Sequence, residues 1–233
     1  MPTKSTHNII VLSVGGSLIV PASGIDVAFL KDFRRFILSQ IKKGRRFIMV
    51  TGGGRTAREY QQAADAVLKP TDEDMDWLGI HSSRLNAQLF RNMFRDVAQH
   101  VVVKNPTRTI PWNHHVLLAA GWKPGRSTDA VAVQLAHAYG SRLVINLSNI
   151  DRVYDKDPYL HEDAKPLKTV SWRDFRKLVG TKWSPGANAP FDPVASRFAE
   201  KWGMTVAVMG KNLKNVANYL DKKSFKGTVI GAS

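Results

Sequence analysis

A chain of 233 residues with 43% hydrophobic side chains carries enough apolar material for one large core, which excludes a disordered chain and leads us to expect one domain or two closely apposed lobes. Its 34 Lys and Arg against 19 Asp and Glu leave a formal charge of +15, a field that gathers anions, so anionic ligands or partners are expected. With no cysteine there can be no disulfide or thiolate metal site, and no stretch approaches the roughly 18 apolar residues of a membrane span, so a soluble, cytoplasmic protein is expected.

In chain order, NIIVLSV (8–14) reads as the first strand. A helix follows with Asp26 as its N-cap, apolar Val27, Leu30, Phe33, Ile37 and Ile41 at helical spacing, and Gly44 as its stop. RFIMV (46–50) is a second strand, and HVVV (100–103), HHVLLAA (114–120), RLVINL (142–147), TVAVM (205–209) and GTVI (227–230) are further strands. Helices are expected to start near Arg55, Asp72, Thr128, Ser171, Pro193 and Asn212, with Ser171 and Asp174 spaced as a capping box. Strands that are apolar throughout belong in a mostly parallel sheet covered on both faces, so the class is α/β. No linker or repeat divides the chain; residues 1–233 read as a single domain with a soft division near Pro124, between lobes of about 1–123 and 124–233.

Several stretches have the composition of a site. SVGGS (13–17) and VTGGGRTAREY (50–60) each place glycines directly after a strand, where backbone N–H groups could approach phosphate oxygens, although plain turn chemistry explains either one alone. Neither G-x-G-x-x-G nor G-x-x-x-x-G-K-[ST] occurs, which disfavours a dinucleotide dehydrogenase or a P-loop enzyme. PGRSTDA (124–130) opens a helix with Ser127, Thr128 and Asp129; an ordinary cap and a carboxylate that organises a site both fit. NLSNIDRVYDKDP (146–158) is either a solvated turn or a site for a base and ribose.

Taken in order, VGGSLIVP, GGGRTAREY, DWLGIHSSRLNA, PGRSTDAVA, NIDRVYDKDP, FDPVASR and KGTVI resemble the amino acid kinase superfamily, most closely its archaeal-type uridylate (UMP) kinases, from Ile9 to Ile230. The resemblance implies an αβα three-layer sandwich with a mostly parallel central sheet. It implies transfer of the γ-phosphoryl of ATP, with Mg²⁺, to UMP in pyrimidine nucleotide synthesis, by a homo-oligomer built from dimers, up to a hexamer. Gly16, Ser17, Gly54 and Arg58 would surround the ATP phosphates, and Ser148, Tyr154 and Asp157 would hold the adenine nucleotide. Gly53 and Asp76 would bind UMP, Asp76 through ribose hydroxyls, while the loop of Trp122, Lys123, Pro124, Gly125, Arg126, Ser127 and Thr128 would wrap the acceptor. Arg58, Asp129 and Ser17 would be catalytic.

The chain departs from the family in places. Many members carry a lysine two residues before the first glycine; here that position is Ser13, a lack shared with the archaeal-type enzymes. Phosphoryl transfer needs positioning and positive charge on the moving group, so the cation must come from elsewhere, first Arg58 and otherwise Lys123, Arg126 or Arg55. Trp122, Lys123 and Arg126 stand where the family has smaller or less basic residues, and Arg152 where it has glycine. Residues 104–115, with two prolines, replace a family helix, and GTKWSPGANAP (180–190) is atypical. Two alternatives stay open: a kinase of the same fold for another small acceptor such as an isopentenyl phosphate, carbamate or amino acid, and a non-catalytic storage oligomer that binds nucleotides or anions. Nucleic acid is not expected as a partner, because KKGRR (42–46) more simply ends a helix with favourable cations.

Overall fold

The computed structural model describes residues 9–158, 160–180 and 189–231. In chain order the elements are β1 (Ile9–Val14), α1 (Gly16–Ile19), α2 (Val27–Lys42), β2 (Arg46–Thr51), α3 (Gly54–Val67), α4 (Asp72–Met93), β3 (Ala98–Val103) and β4 (Val116–Ala119). There follow α5 (Thr128–Ala138), β5 (Leu143–Leu147), β6 (Thr169–Val170), α6 (Trp172–Val179), α7 (Pro193–Lys201), β7 (Thr205–Met209), α8 (Leu213–Leu220) and β8 (Thr228–Ile230). One eight-stranded sheet has the order β3-β4-β2-β1-β5-β7-β8-β6. Every pairing is parallel except β7 with β8.

The period of two along each strand sorts side chains into two cores. Ile10, Leu12 and Val14 of β1, Phe47 and Met49 of β2, and Ile145 and Leu147 of β5 join the layer under α2, α4 and α8. Val11, Ile48, Val50 and Val144 face the opposite layer, built on α5, α6 and α7. The expected three-layer α/β sandwich is therefore present. Phe33 anchors the first layer, fully buried, with its ring centroid 5.5 Å from that of Phe90 and 6.3 Å from that of Phe94. The β1–β5 pairing joins strands from either side of Pro124 within one sheet.

Two elements differ from the sequence expectation. The short helix α1, holding Ser17, Leu18 and Ile19, was not anticipated after the first strand. The two-residue strand β6 was not anticipated; it pairs with β8 and is too short to leave a hydrophobic pattern. Residues 104–115 hold no helix, as Pro106 and Pro111 suggest. Instead the Arg46 guanidinium lies 3.9 Å from the centre of the Trp112 ring and donates to Trp112 O at 2.7 Å, while Tyr139 OH accepts from Ile110 N at 3.0 Å. Residues 181–188 of the atypical GTKWSPGANAP stretch lie outside the described residues.

Candidate active site

The loops after β1, β2, β4, β5 and β7 leave the same edge of the sheet. β1 sits where the chain reverses direction across the sheet, with β2 on one side and β5 on the other. That position, at the carboxyl ends of parallel strands, is where open α/β sheets bind ligands.

Both glycine turns lie there, and the structure corrects the first reason given for them. Gly15 N–H donates to Leu147 O at 2.8 Å, Gly52 N–H donates to Val14 O at 2.9 Å, and Arg55 N–H donates to Val20 O at 2.8 Å. A Cβ on Gly16 would fall inside contact distance of Gly54 N, 2.6 Å from Gly54 Cα and 2.7 Å from Gly52 C. Gly54 itself has φ +68°. The glycines are needed first because two backbone turns interlock, before any phosphate is considered. Asn86 secures the second turn, its Nδ2 donating to Gly52 O at 2.8 Å. The consequence is chemical: α1 and α3 start at Gly15 and Gly53 with no side-chain cap, whereas Asp26, Thr71, Ser127, Ser171, Asp192 and Asn212 cap the others. First-turn N–H groups without a side-chain acceptor suit an anion. Ser17 is half-buried in α1.

Beside this junction lies a carboxylate pair. Ser127 caps α5, its Oγ accepting from Ala130 N–H at 3.1 Å, so Asp129 is not the cap. Ser13, on the β1 face that points toward α5, is buried and donates its hydroxyl to Asp129 Oδ1 at 2.7 Å. Asp192 N–H reaches Asp129 Oδ2 at 3.4 Å, and the Asp192 carboxyl, buried at the start of α7, leaves Oδ2 without a hydrogen-bond partner. Desolvation pushes the half-enclosed Asp129 up to about 6, the Ser13 bond opposing and the Asp192 charge adding to the rise. Burial likewise raises Asp192, against hydrogen bonds from Ala195 N–H, the Ser127 side chain and Val194 N–H and, least, the charge of Arg126.

On the other side, the loop after β4 is held by α4. Asp76 Oδ2 accepts from Gly125 N–H at 2.6 Å, so Asp76 and the 122–128 loop do meet, while Asp76 Oδ1 takes no hydrogen bond from the described residues. Arg84 Nε donates to Gly121 O at 3.1 Å and its Nη2 to Trp122 O at 3.0 Å. Lys123 lays its ammonium 4.5 Å from the centre of the Trp122 ring. Gly125, following Pro124, has φ +71° and open space where a Cβ would be. Thr128 opens α5 after the capping Ser127.

The remaining expected residues spread out. Ser148 lies against Gly15, its Cα 3.6 Å from where a Gly15 Cβ would stand, and donates its N–H to Met209 O at 2.9 Å. Tyr154 forms a bridge with Pro166, and exposed Asp157 accepts at its carbonyl from His161 N–H at 3.0 Å. Arg58 is exposed on α3 with no ion pair among the described residues, because Glu59 pairs with Arg55 at 2.9 Å. Residue-level reading missed Arg84, Asn86 and the role of Ser13. The visible signal was Ser83, Arg84 and Asn86, polar residues on the packed face of an amphipathic helix, where Ser83 Oγ also accepts from Gly121 N–H at 2.9 Å.

The amino acid kinase family model matches residues 8–210. A uridylate kinase of Thermococcus sibiricus is 31% identical over 226 residues, covering 95% of this chain and 98% of that protein. One of Sulfurisphaera tokodaii is 34% identical over 204 residues, covering 85% and 89%. The crystal structure of a uridylate kinase from Archaeoglobus fulgidus superposes with a TM-score of 0.78 at 27% identity, over 95% of this chain and 99% of that one. The chain belongs to the amino acid kinase family.

Proposed function

We propose that this chain transfers the γ-phosphoryl of ATP to UMP, giving UDP and ADP. The observation that carries the reading is the interlocked pair of glycine turns, whose helices start without side-chain caps, set beside the Asp129–Asp192 pair on the edge where the loops converge. The uridylate kinases it matches along nearly their full length support UMP as acceptor.

In this reading the first turns of α1 and α3, with Gly16, Ser17 and Gly54, hold ATP phosphates, and Arg58 projects from α3 toward them. Ser148, Tyr154 and Asp157 attend the adenine nucleotide. The 122–128 loop covers the acceptor, which Gly53 adjoins, and Asp76 offers Oδ1 to a ribose hydroxyl while Oδ2 keeps Gly125 in place. Both reacting oxygens belong to phosphates, so no general base is needed; the protein has to align them and meet their charge. Among the described residues no three His, Asp or Glu form a metal cluster. Asp129 and Asp192, the carboxylates beside this edge, would hold Mg²⁺ together with the nucleotide phosphates. When bound, the ion neutralises phosphate charge. A dimer is supported by exposed Tyr60, Val67, Leu68, Trp77 and Leu85 on and between α3 and α4.

A coupled assay of ADP release with Mg²⁺ATP and each nucleoside monophosphate tests the reading. UMP is expected to give the highest kcat/KM; ATP binding with no turnover of UMP above the others would refute it.

A further inference from the structure

Four cations were available to replace the lysine absent at Ser13, and their contacts separate them. Arg55 is paired with Glu59 at 2.9 Å. Lys123 is exposed and folded onto Trp122. Arg58 is exposed on the second turn of α3. Arg126 differs from all three, because it stands at the junction of the acceptor loop and the carboxylate pair.

Arg126 directly precedes the α5 cap Ser127 and lies three residues before Asp129. Its Nη1 donates to Gly125 O at 2.8 Å, on the same glycine whose N–H is bonded to Asp76. Its guanidinium carbon is 5.9 Å from the centre of the Phe198 ring on α7, the helix that Asp192 caps. Phe198 does not stand alone: it stacks on Trp202 at 5.1 Å and 12°, and Trp202 stacks on His137 at 4.1 Å and 6°. A ring held in a stack is a fixed surface for the guanidinium, which restricts where that long side chain can go. Arg126 is half-buried, so its charge is less screened than that of a cation in open solvent.

Phosphate oxygens brought to an edge that already holds two carboxylates need a cation between them. We infer that Arg126 is a catalytic residue that places its guanidinium on the transferring phosphoryl group from the acceptor side, and that Phe198 is its positioning residue. The inference rests on the phosphotransfer reading above and adds Arg126 to Arg58, which approaches from α3. The step breaks the bond from Pγ to the ADP oxygen and forms one from Pγ to a phosphate oxygen of UMP. The guanidinium gives up no proton and meets only charge, so its effect belongs in kcat.

Steady-state kinetics with ATP, Mg²⁺ and UMP on wild type, Arg126→Ala, Arg126→Lys, Phe198→Leu and Phe198→Tyr test this, with melting curves to establish folding. Arg126→Ala is expected to lower kcat by about a hundredfold or more, with KM for UMP and ATP within about threefold of wild type. Arg126→Lys should recover part of the rate, because a point charge remains while the planar fork is lost. Phe198→Leu should lower kcat by about tenfold, and Phe198→Tyr, which keeps the ring, should restore it. Full kcat in Arg126→Ala, or a raised KM for UMP at unchanged kcat, overturns the inference and leaves Arg126 a binding residue at most. A wild type that turns over no UMP defeats the proposed function, and this inference with it; an active wild type with an unaffected Arg126→Ala defeats this inference alone.

Discussion

Two loops on one edge of the sheet are built by opposite means. The glycine junction between β1 and β2 is backbone against backbone, with no room for a Cβ on Gly16, Gly52 or Gly54. The loop after β4 is suspended from outside by side chains of α4, Asp76 and Arg84, and its own Gly125 looks onto open space. A junction made of main chain tolerates no side chain, whereas a loop hung on side chains can change sequence while keeping its course. Of the positions read in the sequence as departures from the family pattern, Trp122, Lys123 and Arg126 fall in the suspended loop, while Ser13 borders the glycine junction and Arg152 belongs to neither.

The sharpest way to break the contrast is alanine in each place. Gly16→Ala sets a new methyl against the main chain of Gly52 and Gly54, and should cost more than about 4 kcal/mol, seen as insoluble expression or a large loss in urea midpoint. Next in size, Asp129→Asn should reduce kcat by about a hundredfold while the protein stays folded. The same variant reports the carboxylate's titration. A carboxyl held at about 6 in the folded state favours folding when protonated, and that contribution is lost as pH rises through about 6. Asp129→Asn should therefore melt higher than wild type near pH 8, keep only part of that advantage at pH 5 and lose it below about pH 4, as differential scanning fluorimetry from about pH 4 to 8 would show.

On the suspended side the effects are smaller and selective. Arg84→Met releases Gly121 O and Trp122 O and should raise KM for UMP by about tenfold, on the scale of hydrogen bonds from a charged donor, with KM for ATP unchanged. Gly125→Ala meets no atom within 4 Å and pays only for a positive φ, about 1 kcal/mol, or a few degrees of Tm in a chain of this size. If Gly125→Ala proved as damaging as Gly16→Ala, the contrast between the two loops would fail.

Much of this architecture could be read in the sequence, for identifiable reasons. The central strands β1, β2, β4, β5 and β7 are largely apolar on both faces, and the helix at Val27 keeps Phe33 and Ile37 on one stripe, so local pattern and tertiary burial agree. The glycine turns were visible as composition, yet their cause was not, because Gly16 and Gly54 are neighbours only once β1 and β2 are paired. Asp129 shows the limit most clearly. Within PGRSTDA it competes with Ser127 for the cap, and the contest is decided by Ser13, 116 residues away in sequence. Arg84 and Asn86 escaped notice for the same reason, since both hold backbone carbonyls more than thirty residues distant.

The central claim of the proposed reading is that one edge would hold two nucleotides separately, the acceptor under the suspended loop and the donor at the glycine junction. Asp76 bonds to Gly125 of the first and, among the described residues, makes no hydrogen bond to the second. Calorimetric titration of Asp76→Asn with UMP, and separately with a non-hydrolysable ATP analogue, tests this most directly. The account predicts UMP affinity weakened by about tenfold to a hundredfold, the scale of a lost charged hydrogen bond, with the ATP analogue bound as by wild type; equal losses for both ligands would contradict it.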